Sequence, residues 1–329
     1  MTTRSVLITG VSGYIGGTIL SSIREAQGPW TAQLELAALV RSEHQASTVL
    51  KLGVKPVMFS SFDETELLEK IAADFDIIIH AGAGWHTPSA KALINGQNRR
   101  KTKTNRPEDI YSFEKYRESR EAYHQRTTDI TVVETGEAVG VTTHIVMAPT
   151  IYGQGTGPFN RYSIQLPAVI ADAVASGTVS VVEKGDTVWS HVHIRDLAAL
   201  YVTLLEKICN NVTVPSGRRG IYVCETGEHS HREFSERLAR AAHELGALPT
   251  ADVMEINLKQ AGDKLALGSF SRAELSFAAN ARTKAVIGRK LGWTPLHGEE
   301  WESTFRIEVE AFMKNPPAPK EIPQFLKKN

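Results

Sequence analysis

Val6-Leu-Ile-Thr-Gly-Val-Ser-Gly-Tyr-Ile-Gly-Gly17 is the stretch that decides how this chain folds. Val6, Leu7 and Ile8 read as a buried strand, and Ile15, Ile19, Leu20 and Ile23 then recur at helical spacing. Between them, Gly10, Gly13 and Gly16 form a G-x-x-G-x-x-G turn. Glycine is required where a backbone turns sharply, lets a diphosphate approach its amides and brings a helix against a sheet. The free N–H groups of the helix start are donors to such an anion. On this reading Thr9, Gly10, Ser12, Gly13, Tyr14, Ile15 and Gly16 make the floor of a dinucleotide site.

Working outward, Leu36–Val40, Val54–Phe59 and Asp76–His80 read as further strands, with helices near 44–52 and from Asp63 onward. Unbroken apolar strands alternating with helices predict a parallel sheet covered on both faces. The alternation then fails. Helices are expected over 88–100, 109–126 and 129–139, and a strand returns only at Thr143–Ala148. Lys101-Thr-Lys-Thr-Asn-Arg-Pro107 has no β-branched apolar run, so the strand that doubly wound order requires hereabouts is missing. After the glycine-rich Tyr152-Gly-Gln-Gly-Thr-Gly-Pro158, a helix is expected over 165–176 and strands near 179–182 and 187–192. Asp196 is expected to cap the helix carrying Leu197, Leu200, Leu204 and Leu205. A strand at Ile221–Cys224 and helices near 230–246 and 298–313 complete the pattern. The fold class predicted is α/β, a Rossmann-type doubly wound parallel sheet with a smaller, mostly C-terminal substrate lobe. The cofactor domain spans 1–158 with returns near 186–227, the lobe 159–185 and 228–313, and a Pro-rich tail 314–329.

Composition narrows the partners. The 329 residues balance 37 Lys and Arg against 37 Asp and Glu, which argues against nucleic acid or an anionic membrane as partner. Two cysteines, Cys209 and Cys224, rule out a disulfide-built scaffold. No apolar run is long enough to span a membrane. The opening residues run straight into the first strand without an export signal, so a reducing, cytoplasmic location is expected. His191 and His193 alternate on a short strand, but no third ligand is spaced to join them, and no metal is expected.

Taken together, the glycine turn, His80-Ala81, Ala148-Pro-Thr-Ile-Tyr-Gly153 and Val192-His-Ile-Arg-Asp-Leu-Ala198 resemble the extended short-chain dehydrogenase/reductase superfamily, NAD(P)-dependent epimerase/dehydratase type. Thr156-Gly-Pro-Phe-Asn160 and Asn280-Ala-Arg-Thr-Lys284 are similar to its fungal NmrA-like members. The resemblance implies that the nucleotide ribose lies at the end of the second strand. Arg41 there offers a fork to a 2′-phosphate, so NADP(H) is favoured, with NAD(H) the alternative. It also implies that Asp63 sits at the adenine edge, that His80, Ala81 and Gly82 line the cofactor channel, and that Pro149 and Ile151 touch the cofactor.

In the resembled family a Ser or Thr orients the substrate oxygen, while a Tyr with a Lys one helical turn later handles the proton. Tyr111-Ser-Phe-Glu-Lys115 has that spacing, which puts both side chains on one helix face. Counting back from Pro149, however, the pair belongs near Ala122 and Arg126, where Tyr123 has no lysine four residues on. The Ser/Thr element and its strand are absent after Pro107. The catalytic candidates are therefore Tyr111, Lys115 and, in Trp85-His86-Thr-Pro88, His86; Asn160, Arg161 and Tyr162 are expected to face substrate. The resemblance implies an NADP(H)-dependent oxidoreductase acting on a carbonyl or alcohol of a small organic molecule. The missing elements keep two alternatives open: a non-redox epimerase, isomerase or cyclase, and a non-catalytic NAD(P)-sensing regulator. Homodimerisation through helices beside the sheet is a further expectation of the resemblance.

Overall fold

β1 (Arg4–Thr9) and α1 (Tyr14–Glu25) form where the glycine turn predicts them in the computed structural model, which describes residues 3–97, 110–266 and 268–317. Successive strand residues point to opposite faces. Val6 and Ile8 accordingly pack with Ile19, Leu20 and Ile23 of α1, whereas Leu7 packs on the other side with Leu68, Ala72 and Leu93. Both faces are apolar because both are covered, which is why the strand reads as an unbroken run.

β2 (Leu34–Val40), α2 (Glu43–Lys51), β3 (Lys55–Met58), α3 (Thr65–Ala72) and β4 (Ile77–His80) complete a parallel sheet of order β3-β2-β1-β4. This is the first half of a doubly wound sheet. Asp63 does not cap α3. Glu64 holds that position, with its carboxylate accepting from the Ser60 and Ser61 amides.

α4 (Thr87–Gln97), α5 (Ile110–Arg120) and α6 (His124–Val139) follow. The helix expected over 109–126 is split in two because Tyr123 adopts an extended backbone, with its amide on the Glu118 carboxylate. The break expected after Pro107 lies outside the described residues. Among the described residues no ladder joins β4 to the next strand, β5 (Ile145–Met147), which pairs instead with β9 (Ile221–Val223).

The chain between and beyond these strands builds the second lobe. β6 (Thr150–Tyr152) runs parallel to β8 (Val188–His193), and β10 (Gly227–Ser230) runs antiparallel to β8. β7 (Val179–Val182) pairs with β11 (Val253–Ile256). α7 (Gln165–Ser176), α9 (His231–Glu244) and α13 (Trp301–Lys314) share one core, in which Leu166, Ile170, Leu238, Trp301 and Phe305 are buried. Trp301 also stacks on His191, with ring centroids 4.0 Å apart, and His229 lies beside both. α8 (Ile194–Cys209) packs on α1 and buries Leu205 and Cys209 in the first core.

Two short helices, α10 (Leu258–Leu265) and α11 (Phe270–Phe277), and α12 (Val286–Lys290) lie in a stretch that shows no clear periodicity. α10 is secured by a capping box between Asn257 and Gln260. The cap expected of Asp196 belongs to His193, whose Nδ1 accepts from the Arg195 amide. Asp196, buried in the first turn of α8, accepts instead from the Leu296 and His297 amides at 2.8 and 3.0 Å, tying down the approach to α13. No helix among the described residues is long and apolar enough to cross a membrane.

Candidate functional site

The glycine turn works by leaving side chains out. Gly10 has φ +71°, and a Cβ there would lie 2.6 Å from the Ala81 carbonyl oxygen. A Cβ on Gly16 would fall onto the Gly10 carbonyl. Gly13 stands at the N-cap of α1 with no side-chain cap, so the first-turn amides of the helix face outward with their partial positive charge. The residues present therefore fit a diphosphate-bearing cofactor: a cradle of backbone amides at a helix N-terminus that any side chain would fill.

A second glycine-rich segment is fastened over this turn. Tyr14 donates its hydroxyl to the Tyr152 and Gly153 carbonyls, at 3.1 and 2.5 Å. Thr18 Oγ1 accepts from the Thr156 amide, and Ser21 Oγ donates to the Thr156 carbonyl. Gly157 meets Gly17 backbone to backbone, where an added Cβ would lie 2.6 Å from the Gly17 Cα.

Between the two segments opens a cleft of about 1310 Å³. Single-ligand pockets run to about 300–1,000 Å³, so this one has room for a dinucleotide and a second molecule. Of the residues expected at the cofactor, the structure brings Ser12, Gly13, Tyr14, Ile15, Arg41, Ala81, Pro149 and Ile151 to its walls. Asn160, Arg161 and Tyr162 join them, as expected, together with Tyr123, Gln154, Phe159, Ser163, Ile164 and Trp189. Thr9, Gly10 and Gly16 lie beneath as the turn itself. Thr9 Oγ1 and His80 Nδ1 bond at 2.8 Å, and burial pulls His80 down to about 4, keeping its ring neutral. A Cβ on Gly82 would strike the Phe62 ring.

His86 and Asp63 meet each other, Nε2 to Oδ1, at 3.1 Å on an exposed edge. The Ser61 hydroxyl, and then the charge of His86, hold the Asp63 carboxyl below its usual range. Neither residue is among the cleft walls.

Tyr111 and Lys115 do come together, but on Glu134 rather than at the cleft. The Tyr111 hydroxyl donates to Glu134 at 2.7 Å and the Lys115 ammonium at 2.5 Å. Tyr111 packs with Ile130, Val133, Ile145 and Ile221, beneath the Arg218 guanidinium. Burial and its acidic partner push its phenol up to about 12, the opposite of what a proton-transferring tyrosine needs. Tyr123, at the N-cap of α6, does reach the cleft, beside Tyr14 and Tyr162. Arg126, in the position reserved for the lysine, extends over the Tyr123 ring and pairs with Glu114 and Glu118.

One three-donor group occurs among the described residues. His193, His297 and Glu300 place their ligand atoms within 4.8 Å of one another. As folded they form a hydrogen-bonded network: His297 Nδ1 lies 2.6 Å from Glu300, and His193 Nδ1 accepts from the Arg195 amide while its Nε2 abuts Gly153.

A sequence family described as NAD dependent epimerase/dehydratase matches residues 96–214, a stretch that begins after the glycine turn. The oxidase ucsJ of Acremonium sp is 25% identical over 338 aligned positions, covering 89% of this chain and 93% of the oxidase. Among solved structures, DesIV, a dTDP-glucose 4,6-dehydratase from Streptomyces venezuelae with NAD and TYD bound, superposes with a TM-score of 0.63 at 14% identity, over 94% of this chain and 97% of its own. UDP-glucose 4-epimerase from Bifidobacterium longum, in complex with NAD+ and UDP, does so with a TM-score of 0.58 at 14% identity, over 95% and 99%. Both of these structures hold NAD, which overturns the expectation of NADP(H). That expectation hung on Arg41 alone, an exposed side chain at the tip of β2. These superpositions over nearly the whole chain, together with the family match, show that the chain has the fold of the NAD-dependent epimerase/dehydratase family.

Proposed function

We propose that this chain is an NAD(H)-dependent oxidoreductase acting on a carbonyl or alcohol group of a small organic molecule. The observation that carries the reading is the turn made by Gly10, Gly13 and Gly16, continuous with a cleft large enough for cofactor and substrate together. The name of a relative matched over most of its length, an oxidase, supports redox chemistry. Ser12, Gly13, Tyr14 and Ile15 would hold the diphosphate, and Ala81, Pro149 and Ile151 the remainder of the cofactor. The nicotinamide, when bound, supplies or accepts the hydride.

The chain's own part is placement and proton handling. Tyr123 brings a phenol to the wall that also carries Ala81, Ala148 and Pro149, and it is the group we assign to proton exchange with the substrate oxygen. Its backbone is pinned by Glu118, and its ring is backed by Arg126. The NmrA-like subtype is the narrower assignment we favour within the family.

Titration of the full chain with NADH, followed by quenching of tryptophan fluorescence, tests the cofactor reading. Loss of NADH absorbance with a panel of ketones and aldehydes tests the reaction. Product formation with NADH unchanged would replace oxidoreduction with isomerisation.

A further inference from the structure

The substrate end of the cleft sets ring and alkyl carbon beside the amides of Gln154 and Gln165, and two of its rings turn their polar atoms away. Trp189 spends its indole N–H on the Ala279 carbonyl at 2.7 Å. The Tyr162 hydroxyl donates to the Ala311 and Asn315 carbonyls at the end of α13. What both residues leave for a ligand is ring surface, and Tyr123, Phe159 and Ile164 extend it. Such a wall gains most from burying flat apolar area, through area and through ring–ring contact.

Charge is scarce there. Among the described residues the cleft walls include no carboxylate and no lysine. Their two guanidiniums are Arg41, at the cofactor end beside the glycine turn, and Arg161, whose Nε is committed to the Gly157 carbonyl. The Asn160 amide is closed on the Tyr162 backbone. A second diphosphate brought into this end would lose its hydration without a cluster of cations to replace it. One polar group is both buried and unused: Ser163 is 5% exposed, lines the cleft, and its hydroxyl has no partner among the described residues. A buried hydroxyl left unpaired is costly, and a ligand oxygen would remove that cost.

We infer that the substrate is an uncharged, flat ring compound bearing a carbonyl or phenolic oxygen, held by the aromatic wall and hydrogen-bonded through Ser163, and that nucleotide sugars are excluded. This rests on the oxidoreductase reading above and names the substrate class for the same site.

The test uses the full chain with and without NAD+, and ligand-observed NMR with two opposing probes, 1-tetralone and UDP-glucose. In the NAD+ complex no hydride can pass to the ketone, so binding alone is read. Saturable tetralone binding that UDP-glucose does not displace is expected. Ser163→Ala should weaken it about fivefold, the loss of one neutral hydrogen bond. Ile164 is 70% exposed, so Ile164→Asp leaves the fold intact, and the charge it sets on the wall should weaken tetralone about tenfold. NAD+ affinity should be unchanged in both variants. Binding of UDP-glucose that displaces tetralone, no tetralone binding at all, or tetralone binding indifferent to both substitutions would overturn the inference. Tetralone binding with the expected variant pattern but no NAD+ binding would uphold the substrate class and sink the cofactor reading instead.

Discussion

The two sides of the cleft are built from different material. The proposed cofactor side is mainly backbone: Gly10, Gly13 and Gly16 matter for atoms they lack, and the amides at the start of α1 are the donors we assign to the cofactor. The rest of the lining is side chain: Tyr123 from the start of α6, Phe159 and Tyr162 from the loop between β6 and α7, and Trp189 from β8 meet only when the second lobe is in place. A backbone-built site tolerates almost no added volume, whereas a side-chain wall can exchange one ring for another at modest cost. Cofactor choice should therefore be rigid and substrate choice adjustable within one fold.

The severest way to test that contrast is to add volume to the backbone side. Gly16→Val sets a side chain on the Gly10 carbonyl, and NADH affinity measured by fluorescence should fall by at least about a hundredfold. Next comes the choice between the two tyrosines. Tyr123→Phe should lower turnover on the order of a hundredfold, the usual scale for a proton donor, with NADH affinity nearly unchanged. Tyr111→Phe should leave turnover within about twofold and cost about 1 kcal/mol in urea denaturation, because only its bond to Glu134 is lost. If the two results were exchanged, the side-chain wall would have been drawn on the wrong helix.

Asp196 sharpens the comparison from the lobe's side. Asp196→Ala frees the Leu296 and His297 amides, and unfolding free energy should drop by about 2–3 kcal/mol while NADH still binds. A loss of cofactor affinity equal to the loss of substrate affinity would show that the two sides are not separable in this way.

A further expected effect is in pH. Burial holds His191, His193 and His231 down to about 4 and His229 to about 3. These rings stay neutral in the folded protein while the unfolded chain takes up protons near pH 6.5. Their contribution to stability is therefore complete above that pH and is lost as pH falls from about 6.5 through 4, at up to about 1.4 kcal/mol per pH unit for each proton. His229→Asn should shallow this slope in urea titrations between those pH values. An unchanged slope would mean that the histidine cluster is already wet.

The same contrast explains what could be read in the sequence. Val6–Gly17 gave strand, turn and helix because its constraint is local: glycines at fixed offsets and an apolar run bracketed by a helical period. The four-residue spacing of Tyr111 and Lys115 says that two side chains share a helix face but not where that face looks; here it looks at Glu134. Asp196 sits where a cap is plausible, but its partners are a hundred residues away and no local pattern contains them. Trp189 and Ser163 carry no motif at all. Their role follows from which loop lies against which strand, information that belongs to the tertiary fold. α10 to α12 were overlooked because short helices have little room for periodicity, and the Asn257–Gln260 box that marks α10 is a single pair.

The contact between Gly17 and Gly157 has a mechanical corollary. Two main chains pressed together without an intervening side chain leave no compressible layer, and Tyr14, Thr18 and Ser21 rivet the same joint. The segment over the glycine turn is thus fastened to α1 as one piece and not as a flap. On the function proposed above, the space for a larger guest would have to come from the side chains with fewer ties, Tyr123, Phe159 and Ile164, and not from a hinge at this joint.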